Sequence, residues 1–236
     1  LPKVWMLLKH IPPKTTQTFT DLEKHGFNPR TLSKYLQIAQ KSNLLIKQGQ
    51  AYLLTELGIL YTHLVRQLEE LTSFLDILEK IPRREIHSFL QIHVPLLKRY
   101  YSNRLKGIVL FGSSATTAWR PDSDIDLFIV VQDWNMPTWE RATELYKIRL
   151  ATLDLIEDVF DLPVSYYPLD QGETGRFHAI YPDIQRNGII LWQEEDFMLR
   201  LFDSIREGLK QEDKIHITTP DGESLWIAQK IMSRDI

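Results

Sequence analysis

The pattern of apolar and polar positions divides the chain into a helical front part and a back part in which strands alternate with helices. In the front part, the segments VWMLLKHI and TFTDLEKHG predict two helices. Asn28-Pro29 predicts the start of a third helix, because Asn caps free N–H groups and Pro fits the first helical position. Apolar residues then recur on one face of this helix: Leu32, Tyr35, Leu36 and Ala39. The segment LLIKQGQAYLLT predicts two short strands joined at Gln48-Gly49.

The third helix has a polar face opposite its apolar stripe. This face carries residue types that reach phosphates and base edges: Arg30, Ser33, Lys34, Gln37 and Lys41. In the order of their elements, residues 1–66 resemble winged helix-turn-helix domains, and the resemblance implies binding to double-stranded DNA. The charge of this part of the chain also favours binding to a polyanion, since residues 1–66 carry a net charge of +6, whereas the whole chain carries −3. The alternative is a small helical domain with a solvated outer face.

A long helix is predicted from Thr55 to about Lys80. Its apolar residues alternate at spacings of four and three: Leu57, Tyr61, Leu64, Leu68, Leu71, Leu75 and Leu78. This heptad pattern is typical of a coiled coil and predicts a homodimer through residues 57–78. The alternative is an amphipathic helix that covers its own domain.

The back part begins where Ile81-Pro82 ends the long helix. Apolar segments at GIVLFG, DIDLFIVV, LPVSYYPL and GIILW predict four strands, with a short helix at SATTAW, a long helix over 138–160 and a late helix from EEDFMLRL onward. Such strands must be covered by helices, so we expect a multidomain α+β protein. The predicted domains are 1–80, 81–195 and a C-terminal helix and tail at 196–236, where PDG could turn a hairpin.

The segment VLFGSSATTAWRPDSDIDLFIVV carries the strongest chemical signal. Gly112 ends one apolar strand at a point where a ligand can approach the backbone, and Ser113 can cap the short helix that follows and present N–H groups to an anion. Asp124 and Asp126 lie two residues apart at the head of the next strand, so they project from one face. Two adjacent carboxylates need compensation, and Mg²⁺ together with substrate phosphates supplies it.

Three other patterns share features with this segment. An EF-hand would require Gly at the position of Leu127 and Glu at the position of Asp133, so it fails. A Walker-type phosphate loop would require a Gly-Lys-Ser/Thr ending, which the sequence does not contain. A plain polar turn accounts for Asp122 but not for Asp126, which lies within the predicted strand.

The spacing of Gly112-Ser113, ten residues, then Asp124-x-Asp126 between apolar strands resembles the signature of the DNA polymerase β nucleotidyltransferase superfamily. The chain is most similar to the minimal nucleotidyltransferases of bacteria and archaea, over about residues 105–193. The resemblance implies that Asp124 and Asp126 bind two Mg²⁺ ions and that Gly112 and Ser113 hold the phosphates of a nucleoside triphosphate. The implied reaction transfers a nucleoside monophosphate to a hydroxyl on a nucleic acid, a small molecule or a protein, the last including a small helical partner protein.

One departure from this family is expected in the later strand. Family members carry a third carboxylate there, and the matching position in LPVSYYPL is Ser165. Serine is a poor ligand for Mg²⁺ and a poor base at neutral pH, so transfer could be slow or absent. The alternative function is a dimeric winged-helix transcriptional regulator whose degraded nucleotidyltransferase domain senses nucleotide.

The amino-acid composition excludes several kinds of site and of membrane protein. The chain has no cysteine, which excludes disulfides, thiolate metal sites and cysteine nucleophiles. No apolar segment approaches the roughly 20 residues that span a bilayer. We therefore expect a cytoplasmic protein without a membrane segment.

Overall fold

The structure is a computed structural model that describes residues 3–156, 162–211, 214–218 and 224–228. The chain divides into two compact units, Leu1–Ser73 and Phe74–Ile236. This boundary lies within the long helix. It falls several residues before residue 80, at which the sequence pattern predicted the first domain to end. Each unit has its own buried apolar core.

The first unit combines helices with a small antiparallel sheet. Its elements are α1 (Trp5–Leu8), β1 (Thr16–Thr18), α2 (Phe19–Glu23), α3 (Pro29–Lys41), β2 (Leu45–Gln48), β3 (Ala51–Leu54) and the greater part of α4 (Glu56–Glu79). The strands lie in the order β1-β3-β2. The sequence analysis did not predict β1, because a strand of three residues is too short to show a periodic pattern.

Local capping explains where the helices of this unit begin. The Asn28 side chain accepts a hydrogen bond from the Arg30 N–H at 3.0 Å, with Pro29 in the first turn, as the sequence predicted. Thr55 Oγ1 likewise accepts a hydrogen bond from the Gly58 N–H at 2.9 Å at the start of α4. The stripe of α3 that the sequence predicted to be apolar faces the core, where Leu32, Leu36 and Ala39 are buried.

The second unit contains a four-stranded mixed sheet. Its elements after the end of α4 are α5 (His87–Tyr101), β4 (Leu105–Phe111), β5 (Ile125–Val131), α6 (Thr138–Leu153), β6 (Val164–Asp170), α7 (Tyr181–Asn187), β7 (Ile189–Gln193), α8 (Phe197–Gln211), β8 (Lys214–Thr218) and β9 (Ser224–Ala228). The sheet order is β6-β5-β4-β7. β5 runs parallel to β6 and antiparallel to β4, which itself runs antiparallel to β7.

The central strands β4 and β5 are buried on both faces. Side chains such as Ile108 and Leu127 enter one apolar cluster, and the alternate side chains Val109 and Phe128 enter another. This double burial explains why both strands appear in the sequence as nearly continuous apolar runs. The architecture is α+β with a mixed sheet, in agreement with the predicted class.

Two of the predicted helices are shorter than expected. Residues Ser113–Ala115 form only one 3-10 turn, because the Thr116 side chain accepts a hydrogen bond from the Ala118 N–H and competes with the helical backbone. Helix α6 ends at Leu153 with Asp154 as its C-cap, where a carboxylate is unfavourable beside the negative end of the helix dipole. The remainder of the range predicted for this helix includes residues 157–161, which lie outside the described residues.

At the end of the chain, β8 and β9 pair antiparallel. The PDG sequence that suggested a hairpin turn lies between them, outside the described residues. None of the helices described in the structure is long and apolar enough to cross a bilayer.

Candidate active site

Gly112 forms the floor of the candidate site at the end of β4. Its φ of +67° and ψ of −158° belong to a region that residues with a Cβ adopt only under strain. A Cβ placed on Gly112 would lie 2.2 Å from Oδ2 of Asp126. Glycine is therefore required both by the backbone conformation and by the close approach of the Asp126 carboxylate.

Asp126 lies in β5 and pairs with Phe111 at the end of β4. Asp124 lies just before β5, two residues earlier, on the same side of the strand. Neither carboxylate accepts a hydrogen bond or joins an ion pair within the part of the chain that the structure describes. Burial, followed by the nearby Asp124 and Asp183 carboxylates, raises the pKa of Asp126 to about 6. Asp126 is therefore mostly anionic at neutral pH, and no hydrogen bond or ion pair among the described residues compensates either carboxylate.

This donor set suits Mg²⁺, which binds oxygen ligands and uses few carboxylates alongside water and substrate phosphates. Asp124 and Asp126 would be the two protein ligands. The structure does not provide a third protein ligand beside them, since no group of three or more His, Asp or Glu side chains among the described residues is arranged to hold a metal ion.

Ser165 lies directly beside Asp126. The parallel register of β5 and β6 pairs Asp126 with Ser165 and Ile125 with Val164. Paired residues in adjacent strands project from the same face, so the exposed Ser165 hydroxyl belongs to the face that carries Asp126. The strand next to the aspartates thus supplies a hydroxyl at this position.

Asp183 is a site residue that the sequence analysis missed. One of its carboxylate oxygens accepts a hydrogen bond from the Gly112 N–H at 3.1 Å, and the other accepts one from the Asn187 side chain at 2.8 Å. Asp126 and Asp183 therefore both contact Gly112. Asp183 lies 71 residues beyond Gly112, in the first turn of α7, and nothing in its local sequence distinguishes it from a helix-start carboxylate.

The segment between Gly112 and Asp124 is held by its own hydrogen bonds. Ser114 is buried, and its hydroxyl donates to the backbone carbonyl of Asp124 at 2.7 Å. The Ser123 hydroxyl accepts from the Arg120 N–H at 2.9 Å. The first of these bonds joins the two ends of the segment, so Gly112, Ser113 and the aspartates form one compact constellation.

The first unit presents the polar face of α3 to solvent. All five residues that the sequence selected there are exposed: Arg30, Ser33, Lys34, Gln37 and Lys41. The hairpin of β2 and β3 adds an exposed basic residue, Lys47. The structure therefore leaves this face available, and its DNA binding stays a prediction.

The apolar face of α4 differs from the predicted heptad seam at two positions. Tyr61 packs against the core of the first unit, and Leu78 is buried in the core of the second. The stripe of leucines that remains is between 42% and 62% exposed: Leu57, Leu60, Leu64, Leu68, Leu71 and Leu75. An exposed leucine therefore occurs at every turn of this helix.

Comparison with known proteins finds one family that is similar to the segment containing the Gly112 site. The family model described as "Nucleotidyltransferase domain" matches residues 90–190. No curated protein matches the chain. The similar solved structures have low TM-scores. They include a mutant of the toxin–antitoxin complex MntA–HpeT (20% identity, TM-score 0.36, covering 51% of this chain and 89% of that chain).

Two further solved structures have comparably low similarity to this chain. One is a nucleotidyltransferase-type protein from Sulfolobus solfataricus (20% identity, TM-score 0.31, covering 48% of this chain and 89% of that chain). The other is a toxin–antitoxin structure with AMP-PNP (21% identity, TM-score 0.36, covering 51% and 90%). The assignment rests on the family model, whose matched segment contains Gly112, both aspartates and Asp183. Residues 90–190 of this chain are therefore similar to nucleotidyltransferase domains.

Proposed function

We propose that the second unit is a Mg²⁺-dependent nucleotidyltransferase. The observation that carries this proposal is the uncompensated pair Asp124 and Asp126 at the end of two buried strands, in which Asp126 is half-buried against Gly112 and Asp124 is exposed. Such a pair is costly unless a cation and phosphates bind to it. Because the pair lies within the segment that matches the nucleotidyltransferase family, the cation and the phosphates are best explained as those of a nucleoside triphosphate complex.

The reaction is an in-line displacement at the α-phosphorus of the triphosphate. The acceptor hydroxyl oxygen forms a bond to this phosphorus, the bond to the bridging oxygen of pyrophosphate breaks, and the hydroxyl proton passes to solvent. Bound Mg²⁺ supplies charge neutralisation for the phosphates. Asp124 and Asp126 would hold the metal, and the backbone at Gly112 and Ser113 would bind and orient the phosphates once Asp183 releases the Gly112 N–H. The acceptor is a hydroxyl on a nucleic acid or a protein.

A second candidate function is nucleotide sensing without transfer, in a DNA-binding regulator. Ser165 favours it, because a hydroxyl lies beside Asp126 where a carboxylate would complete a two-metal site. Asp183 is the nearest other carboxylate on Gly112, but it is not arranged with the two aspartates as a group of three metal ligands among the described residues.

Label transfer separates these two functions. The protein is incubated with α-labelled ATP, GTP, CTP or UTP, Mg²⁺, and DNA, RNA or cell extract. We expect label on an acceptor with the wild type and none with Asp124→Ala/Asp126→Ala. Nucleotide binding without transfer by the wild type, with transfer acquired by Ser165→Asp, would establish the sensing function instead. Absence of both binding and transfer would refute both.

We further propose that the first unit binds double-stranded DNA through α3. The exposed basic face of α3, the adjacent hairpin and the positive charge of this unit support the proposal. Arg30→Ala/Lys34→Ala should weaken binding and flatten its dependence on salt, because each lost phosphate contact releases about one fewer counterion. Lys9→Ala/Lys24→Ala removes two exposed charges of the same unit away from α3 and is the control. Equal effects of the two double variants would contradict a specific role for α3.

A further inference from the structure

Arg83 is a fully buried cation that the proposed reaction does not use. It lies between α4 and α5, with 0% of its surface exposed. Burial of a guanidinium is costly unless its donors are satisfied and its charge is compensated. The positions of its hydrogen-bond acceptors therefore indicate what the residue does.

The guanidinium donates to both ends of the segment that carries the site. One nitrogen donates to Ser114 Oγ at 3.0 Å and to the Ser123 carbonyl at 2.7 Å. A second nitrogen donates to the Pro121 carbonyl at 3.2 Å. Since Ser114 follows Gly112-Ser113 and Ser123 precedes Asp124, this one side chain spans the turn between the two halves of the site.

Two further contacts enclose the guanidinium. The Trp119 ring, which belongs to the same segment, lies 5.1 Å from the Arg83 guanidinium carbon. Ser114 also links Arg83 to the backbone of Asp124, because its hydroxyl accepts from the guanidinium and donates to the Asp124 carbonyl. The segment therefore lies around Arg83. Its path depends on three groups that accept hydrogen bonds from the guanidinium, namely the Ser114 hydroxyl and the carbonyls of Pro121 and Ser123.

The charge of Arg83 is poorly neutralised by its own surroundings. Its ion pair with Glu85 is long, at 3.5 Å, and the Glu85 side chain is 60% exposed. Such a pair contributes little. The hydrogen bonds to Ser114, Pro121 and Ser123 are therefore the main compensation of this buried cation.

We propose that Arg83 is the positioning residue of the nucleotide site, holding residues 112–124 so that Gly112 and Ser113 face Asp124 and Asp126. It touches neither the nucleotide nor the metal and acts through Ser114 and the carbonyls of Pro121 and Ser123. This inference rests on the proposed function for its consequence, nucleotide binding. Its structural part, the holding of residues 112–124, is independent of that function.

The test compares Arg83→Ala and Arg83→Lys with Arg84→Ala, which removes the exposed neighbouring arginine. Hydrogen–deuterium exchange of amides 113–124 and affinity for Mg²⁺-ATP are measured with the full chain, with and without added guanidinium chloride at millimolar concentration. We expect faster exchange in 113–124, protection retained in Leu127–Val130, and affinity reduced about tenfold or more, roughly 1.4 kcal/mol. Lysine should restore little, because it cannot donate in a fixed fork. Guanidinium should restore both readouts in Arg83→Ala and neither in Arg83→Lys.

Each other outcome is decisive. Unchanged exchange in 113–124 overturns the proposal, and so does faster exchange with wild-type nucleotide affinity. If Arg83→Ala does not fold, Ser114→Ala, which removes one acceptor, must show the same two effects in weaker form or the proposal fails. If the wild type binds no nucleotide, the proposed function fails, and exchange alone then decides whether Arg83 holds the segment.

Discussion

At the scale of single residues, the site depends on one glycine in contact with two carboxylates. Asp126 approaches the Cα side of Gly112, and Asp183 accepts the hydrogen bond of its N–H. The N–H group that the sequence assigned to phosphate is therefore engaged by a carboxylate in this structure. We therefore expect a phosphate to bind this N–H only when Asp183 releases it.

Substitution of Gly112 by alanine should damage both fold and site. The positive φ costs about 1–3 kcal/mol for a residue with a Cβ, and the new methyl group would collide with the Asp126 carboxylate. We expect a lower melting temperature and loss of Mg²⁺-ATP binding, measured by calorimetry. Gly175→Ala is the control, since a Cβ there meets nothing within 4 Å. Equal stability of the two variants would show that the contact with Asp126 is not strained by a methyl group.

The raised pKa of Asp126, about 6, predicts how stability depends on pH. The folded protein binds a proton here more tightly than the unfolded chain does, so the stability contributed by the protonated form is lost as pH rises from about 4 through 6. Asp126→Asn should therefore be more stable than the wild type at pH 8 without metal, by about 1–2 kcal/mol, and equal to it near pH 3.

Thermal unfolding at the two pH values measures this difference. Mg²⁺ should reduce the gap at pH 8, because it favours the charged carboxylates of the wild type. Asp122→Asn, which removes an exposed carboxylate of the preceding turn, controls for the loss of one negative charge. A gap that is the same at pH 3 and pH 8 would contradict the assignment to Asp126.

At the scale of elements, α4 is the helix whose apolar surface exceeds what its own cores cover. Tyr61 and Leu78 are used in the two cores, yet a leucine is exposed at every turn between them. Heptad-like spacing of this kind favours pairing with an identical helix. We propose a homodimer through residues 57–78 on this ground.

Light scattering tests the dimer directly. The wild type should have twice the 27.8 kDa mass of one chain, and Leu64→Glu/Leu68→Glu should have the mass of a monomer, because buried carboxylates oppose association. Arg66→Glu changes charge on the opposite side of the same helix and should remain dimeric. A monomeric wild type at micromolar concentration would remove the proposal.

At the scale of the whole molecule, two units with separate cores share one chain. Leu36 is buried within the first unit and Leu127 within the second. Truncation of a buried leucine lowers the free energy of unfolding by about 2–5 kcal/mol, and the loss arises in the core from which the contacts are removed. The units should therefore respond to such changes independently.

Leu36→Ala and Leu127→Ala form a matched pair for this prediction. In native-state hydrogen exchange, Leu36→Ala should lower protection in α3 and leave β4 and β5 unchanged, and Leu127→Ala should do the reverse. Loss of protection in both units from either substitution would show that the chain unfolds as a single cooperative unit.

Much of this architecture could be predicted because the local pattern of apolar residues agrees with the burial of those residues in the structure. Asn28 and Pro29 begin α3 as expected, and the two-sided burial of β4 and β5 produces the apolar runs that frame Gly112 and Asp126. The end of α6 and the short turn after Ser113 were predicted less well, since side-chain competition and a C-terminal carboxylate act against the helical pattern there.

The sequence by itself determined the elements and the chemical types at the site, because periodicity, capping and the spacing of Gly112, Asp124 and Asp126 are properties of neighbouring residues. The tertiary structure alone decided that Asp183 engages the Gly112 N–H and that Arg83 holds the intervening segment, and it paired Asp126 with Ser165, the position that the resemblance had selected. These contacts join residues about 30 to 70 positions apart, brought together by strand pairing and core packing. No local pattern encodes which distant side chain will satisfy a given donor, and that is where the fold itself completes the site.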